Sequence, residues 1–432
     1  MRLFPVVVGS CGALLLVSIA FALSQRDSLL QFTHRWRERA DGQELAAQLV
    51  GPEDVFRYML AHPEQASMAS WEVGREQEGL FLNAERSQPV AAASDLVVLA
   101  RYARALAQGE HSDRELVSLA DWERHWLPGM DGGAHAAALY EARTSGRVDA
   151  TTPPEPQVTE TKALGANSGV VHLRDLARAM VRHDDHAATD LLIERYGRAQ
   201  LQQQSDELGV SAADAALAPF SGLWLSWLGQ GHAVSGAELI ARYRALGPIA
   251  YAQLTWSLAG RLARDGKFRN LTRTTLEREG STLSLLEQAQ LVDAFSPRGT
   301  ARSYAALMQR VVSAELPGSE TMREHLEWPL ESPATRSDFE VFATKRGSLP
   351  GMSAAVCYAR SKGGARVKVL ALFFQKLPLA VWLQLSESVL QQRLVQTMLQ
   401  DDEFFARAKQ CISERDAACD FDAVQPRHAQ AD

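Results

Sequence analysis

The sequence predicts an α+β fold, with one antiparallel sheet built from both chain ends and laid against a helical lobe. Three observations lead there. Residues 66–86 carry two strand-like stretches, Ser67 to Val73 and Gly79 to Asn83, around a polar turn. After Ser337 come three more, Phe339 to Thr344, Ser353 to Ala359 and Val367 to Phe374, rich in Val, Phe, Ala and Leu and divided by turns containing Gly and Pro. Between the two groups the apolar residues recur at helical intervals. A chain of 432 residues that is 46% hydrophobic is long enough to bury a core of one large domain or two. No internal repeat is visible.

In chain order, residues 1–26 are a signal peptide or an N-terminal membrane anchor. Leu3 to Leu23 is uncharged, and an apolar run of about 20 residues is long enough to span a bilayer. Ala20-Phe21-Ala22 resembles a signal-peptidase site, whereas Arg26, Arg35, Arg37 and Arg39 after the run argue weakly against export. Val8-Gly9-Ser10-Cys11 resembles a lipobox but precedes the apolar run, so lipidation is discounted. Residues 27–65 read as a helical lead-in, with Leu29, Leu30, Phe32, Trp36, Leu45, Leu49, Val55, Phe56 and Leu60 at helical spacing, ended by His62-Pro63.

Residues 66–400 form the main domain. An apolar helix is expected from about Ser94 to Gln108, stopped by Gly109, and another from about Leu173 to Tyr196, stopped by Gly197. Thr151-Thr152-Pro153-Pro154-Glu155-Pro156 marks an exposed loop. Residues 235–315 read as several amphipathic helices, and Leu379 to Met398 as a closing one. Residues 401–432 are a C-terminal helix and a polar tail.

The net charge of −7 is mild and no basic block stands out, so no nucleic-acid partner is indicated. Nine Trp and fifteen Phe mark an ordered body. Of four cysteines, Cys11 lies in the leader, Cys357 has the apolar flanks of a buried thiol, and Cys411 and Cys419 are close enough in sequence to pair if the body is exported.

Several segments carry a family resemblance. Pro89-Val-Ala-Ala-Ala-Ser-Asp-Leu-Val-Val-Leu-Ala is similar to a Pro-Leu-Ala-Ser-x-x-Lys stretch leading into an apolar helix. Further on come Leu119-Ala-Asp-Trp-Glu-Arg124, Leu127-Pro-Gly-Met-Asp-Gly-Gly-Ala-His135, Ala179-Met-Val-Arg-His-Asp-Asp-His186 through Asp190, and Lys345-Arg-Gly-Ser-Leu-Pro-Gly351. As an ordered set over roughly residues 50–390 they resemble the class A β-lactamase-like, penicillin-interactive serine hydrolases. The resemblance implies the β-lactamase/DD-peptidase fold, an extracytoplasmic or periplasmic place at the cell envelope, and no cofactor.

It also shows what has been lost. The family's nucleophilic serine is matched by Ala92, and the lysine three residues on by Asp95. On a helix those positions share a face, which is how the amine takes the hydroxyl proton. Ala92 has no hydroxyl, and Asp95 inverts the charge. Ser94 is the nearest hydroxyl, but it lies about 200° around a helix from position 92, and its own i+3 residue is Val97. The family's Ser-Asp-Asn is matched by Asp184, Asp185 and His186, so only the central Asp, which holds the loop, is kept. The family's Lys-Thr-Gly is matched by Lys345, Arg346 and Gly347. The positive charge remains, and Arg346 is expected to crowd or fill the pocket. No acidic deacylating residue stands out in Ala212 to Trp227, where Asp214 is the one candidate.

Other groupings compete for a role. His183 and His186 with Asp190 have the spacing of metal ligands, although the family match explains their place without a metal. Thr159-x-x-Lys162 repeats a nucleophile–base spacing inside a Pro-rich loop and is ascribed to chance. Asp131 and His135 are placed at the pocket rim, with His135 either lining it or bracing its loop. Trp224 and Trp227 are expected in the core.

The reading is a catalytically degenerate envelope protein of this fold that binds a peptidoglycan-type or peptide ligand, or a protein partner, and touches the membrane through its N-terminal segment. The competing reading is an active serine hydrolase of β-lactamase, peptidase or esterase type using Ser94, with Asp184, His186 and Lys345 as its other actors.

Overall fold

Strand β1 (Ala66–Glu72) sits beside the last strand of the chain, and both are buried on two faces. The computed structural model describes residues 42–145, 149–150, 169–210, 217–228, 234–415, 418–419 and 421. The N-terminal apolar run, the Pro-rich loop with Thr159 and Lys162, and Asp214 all lie outside them. Two short helices, α1 (Gln43–Gln48) and α2 (Pro52–Ala61), lead to β1, which turns back into β2 (Leu80–Leu82). A two-residue strand β3 (Gln88–Pro89) precedes a tight 3₁₀ turn, Ala91–Ser94, and the central helix α3 (Asp95–Ala107).

The helical lobe continues through β4 (Leu116–Ser118), α4 (Leu119–Glu123), α5 (Ala134–Thr144), β5 (Asp149–Ala150), β6 (Gly169–His172) and α6 (Leu173–Arg178). It goes on through α7 (His186–Leu208), α8 (Phe220–Trp227), α9 (Gly236–Arg264), α10 (Gly266–Glu279) and α11 (Leu285–Phe295). Strand β7 (Arg298–Gly299), α12 (Ala301–Val312) and α13 (Ser319–Leu326) return the chain to the sheet. There β8 (Phe339–Leu349), β9 (Met352–Ser361) and β10 (Lys368–Phe374) follow one another. Helices α14 (Leu379–Glu387), α15 (Leu390–Gln400) and α16 (Asp402–Glu414) close the chain.

The main sheet has the order β2-β1-β10-β9-β8, so its centre joins the two chain ends. All its pairings are antiparallel, with Met68 opposite Leu372 and Leu370 opposite Cys357. Successive side chains point to opposite faces. In β10, Val369, Ala371 and Phe373 face the helical lobe, while Leu370, Leu372 and Phe374 face a second layer made of α2 and the terminal helices. Because both faces are covered, β10 reads as an unbroken apolar run instead of an alternating one. Each such Leu, Val or Phe contributes about 1.5–3 kcal/mol by leaving water.

The α+β reading and the sheet built from both ends hold. Several boundaries differ. The helix expected over 173–196 breaks at Asp184, whose left-handed φ of 59° ends a π-helical turn, Ala179–His183. It restarts because the Asp185 carboxylate accepts from the amides of Ala187 and Ala188 as an N-cap. The helical run then passes Gly197, which kinks it at φ 73° without ending it. The closing helix expected over 379–398 is split in two at Val389, also left-handed at φ 53°. The small pairings β3–β7 and β4–β6–β5 were not expected. Cys411 and Cys419 are disulfide-bonded, Cys357 is a buried free thiol, and Trp224 and Trp227 are buried edge to face.

Candidate functional site

The site lies where the start of α3, the loop before α7 and strand β8 meet. The 3₁₀ turn is made of small residues, which lets β8 approach closely. A Cβ on Gly347 would fall 2.5 Å from the Ala92 nitrogen and 3.0 Å from the Ala91 and Ala92 Cβ atoms, so only glycine fits there. Ala91 is left-handed at φ 41° without being glycine, a conformation that costs of order 1–3 kcal/mol. It immediately precedes Ala92, which is 3% exposed.

Lys345 points from β8 into the interior and is 1% exposed. Its Nζ lies 2.9 Å from Asp95 Oδ2, donates to the Met180 carbonyl at 2.7 Å, and pairs with Asp184 Oδ1. The Asp95 carboxylate is equally buried, and neither of its oxygens makes a hydrogen bond of good geometry. Asp184 differs, since its side chain is 43% exposed.

Residues from all three deviant motifs therefore meet at Lys345. Two carboxylates surround one ammonium, which leaves one negative charge uncompensated. Burial pushes the Asp95 carboxyl up to about 6; Lys345 opposes this, and the neighbouring Asp184 charge adds to it. Burial alone would pull Lys345 down, but Asp184 and Asp95 outweigh it and hold the ammonium above its ordinary value.

The other expected site residues are placed as follows. Ser94 is 2% exposed, and its hydroxyl donates to the Ala91 carbonyl at 2.8 Å. His186 is half-buried and stacks face to face on Phe220, with centroids 4.1 Å apart. Arg346, expected to crowd or fill a pocket, does not point into the site. The alternation along β8 turns it outward, where it donates to Gln392 at 2.8 Å.

His135 is not at a rim. It is 2% exposed, with Nδ1 3.1 Å from Asp185 Oδ2, and its ring packs between Trp122 and Trp126. It thus braces the loop, the other half of the expectation. Asp131 is half-buried and accepts from the amides of Gly133 and His135, so it shapes the turn into α5. Asp185 is completely buried and also accepts from Trp122 Nε1 at 2.9 Å. Burial works to raise it, but His135 and the Ala187 and Ala188 amides prevail and hold its carboxyl below the usual range.

The residues with metal-ligand spacing go to three separate partners. His183 pairs with Glu141 at 2.5 Å, His186 stacks on Phe220, and Asp190 accepts from the Phe220 and Ser221 amides at 2.8 Å each. Among the described residues no group of three or more His, Cys, Asp or Glu has metal-holding geometry. Sequence reasoning missed the network behind Asp184. There Arg178 and Arg182 bridge Glu141 and Glu331 and anchor the π-helical turn. Two Arg four apart beside a His were the available signal.

The fold and the sequence around this site are similar to those of β-lactamases. The sequence model of the Beta-lactamase enzyme family matches residues 53–222, and over that stretch the chain is β-lactamase-like. Among similar solved structures, a β-lactamase from Sphaerobacter thermophilus DSM 20745 is 16% identical, with 79% of this chain and 95% of that chain covered and a TM-score of 0.45. A β-lactamase from Chitinophaga pinensis DSM 2588 is 12% identical, with 80% and 97% covered and a TM-score of 0.45. A structure of PBP-A is 12% identical, with 79% and 95% covered and a TM-score of 0.41. No curated protein matches the chain.

Proposed function

We propose that this is a non-hydrolytic β-lactamase-fold protein of the cell envelope, which binds a peptidoglycan-type or other peptide ligand or a protein partner. One observation carries the reading: Lys345 is enclosed between Asp95 and Asp184. Acyl transfer in this fold needs a hydroxyl with a base beside it. Position 92 offers a methyl group, position 95 a carboxylate that engages the lysine, and the nearby Ser94 hydroxyl is committed to a backbone carbonyl. A lysine neutralised by two carboxylates also attracts an anionic substrate poorly. The Cys411–Cys419 disulfide supports an oxidising compartment. The uncharged Leu3 to Leu23 run supports delivery to, or attachment at, the membrane.

The test is intact-protein mass after incubation with a reactive penicillin and, separately, with a fluorophosphonate. The expected result is a folded protein with no adduct. An adduct mapped to Ser94, and lost in Ser94→Ala, would overturn the reading in favour of a serine hydrolase with an unusual nucleophile.

A further inference from the structure

The Asp95–Lys345–Asp184 cluster joins three separate elements, and its members are not equivalent. Asp95 is sealed in at the start of α3, while Asp184 stands on a loop with its side chain 43% exposed and its backbone left-handed. Lys345 needs one full counter-charge in a dry interior. When Asp95 is ionised it supplies that charge, and Asp184 becomes a surplus anion repelled by Asp95. When Asp95 carries a proton, Asp184 is the one carboxylate left to Lys345.

We propose that the loop bearing Asp184 is proton-gated: it is pinned to Lys345 while Asp95 is protonated and released toward solvent when Asp95 ionises. The groups around Asp95 are consistent with this. Lys345 faces it from β8, Asp184 from the loop, His186 from α7 and the Tyr304 phenol from α12. Asp185, also at the start of α7, is turned to Trp122 and His135, and His325 on α13 packs against Tyr102. Among these described groups Lys345 is thus the one Lys or Arg. Burial and the second carboxylate bring Asp95 to about 6, so the gate works across mildly acidic to neutral pH. Release relieves the left-handed strain at Asp184, and the Met180 carbonyl bond to Lys345 limits the movement to the residues after it. The inference stands on the ion cluster and not on the absence of hydrolysis, so an adduct at Ser94 would leave it intact.

The test is amide hydrogen exchange of the full chain over residues 181–187, at pH 5 and pH 7.5, corrected for intrinsic exchange rates. The wild type is expected to lose protection at the higher pH, by about tenfold for each pH unit by which release lowers the pKa of Asp95. Asp95→Asn, which imitates the protonated carboxyl, is expected to stay protected at both pH values. Asp184→Asn is expected to be open at both. A wild-type segment equally protected at both pH values, or a pH response that persists in Asp95→Asn, would overturn the gate. Residues 369–373 in the central strand serve as the control, since a change there too would mean global loosening and would equally count against it.

Discussion

The Lys345 ammonium lies 2.9 Å from the Asp95 carboxylate, with both side chains shut away from water. In the family this chain resembles, position 95 carries a lysine. The reversal of charge therefore turns two like-charged neighbours into an ion pair that holds α3 to β8. The substitution at the position of the family's lysine and the new ion pair lie in the same contact.

That pair gives stability a readable pH dependence. The Asp95 carboxyl is raised from 3.8 to about 6 in the folded protein, so the stability it confers is fully present below about pH 4 and is lost as pH rises through 6. Lys345→Met removes the cation that opposes burial. At pH 7.5 Asp95 must then either stay ionised without its partner or take up a proton, which costs up to about 3–5 kcal/mol. At pH 5 the carboxyl is already largely neutral, and the loss should be clearly smaller. Denaturant titrations at the two pH values measure the difference, and an equal loss at both would show that Asp95 is not the partner that matters.

Asp185 behaves in the opposite sense. It accepts from the Trp122 indole, the His135 ring and two amides at the start of α7. Its carboxyl is held low, so its contribution is present above about pH 4 and is lost as pH falls through its lowered folded value. Asp185→Ala leaves those donors buried and should cost about 3–4 kcal/mol at neutral pH. The gap from wild type should narrow in acid, and chemical denaturation from pH 7 down to pH 3 would show whether it does.

Much of this was legible in the sequence, and what was not has physical reasons. The strands declared themselves by composition, and Lys345 and Asp185 by their motifs. The coupling of Asp95 to Lys345 was hidden, because a contact across 250 residues leaves no trace in local spacing. The outward turn of Arg346 was readable: if Lys345 faces the interior of a strand, its neighbour cannot. The break before α7 was also written in Asp185-His186-Ala187-Ala188, an N-cap before good helix formers, but the apolar periodicity running through it from Leu173 masked the signal. His135 was misplaced at the rim because its burial depends on Trp122 and Trp126 folding back over it.

The disulfide should be separable from the site. Cys411 and Cys419 are eight residues apart, and the segment beyond α16 is also held by Phe421 stacked on Phe404 at 4.5 Å and by Arg57 donating to the Cys419 carbonyl. Closing so short a loop contributes about 2–3 kcal/mol. Replacing both cysteines by serine should lower the unfolding free energy by that amount or less. The pH dependence attributed to Asp95 should survive, because the two features lie on opposite faces of the sheet. If that dependence vanished as well, the assignment to Asp95 would fail.

The most demanding prediction is reconstruction. Ala92→Ser alone supplies a hydroxyl but leaves Asp95 at the position of the base and Lys345 neutralised, so no penicillin adduct is expected. Adding Asp95→Lys places an ammonium one helical turn from the new hydroxyl. Adding Asp184→Ser removes the second carboxylate and frees Lys345 to meet an anionic substrate. The close approach of Gly347 to residues 91 and 92 and the left-handed backbone at Ala91 are already in place to present that hydroxyl to the strand. The triple variant is therefore expected to form a covalent adduct at position 92, read by intact mass and peptide mapping. Two buried cations replacing an ion pair will destabilise the fold, so near-ultraviolet circular dichroism must first show native packing. A folded triple variant that stays unlabelled would mean that these three substitutions do not suffice for acylation. The His186–Phe220 stack, at the position matched to the family's asparagine, would then be the next element to change.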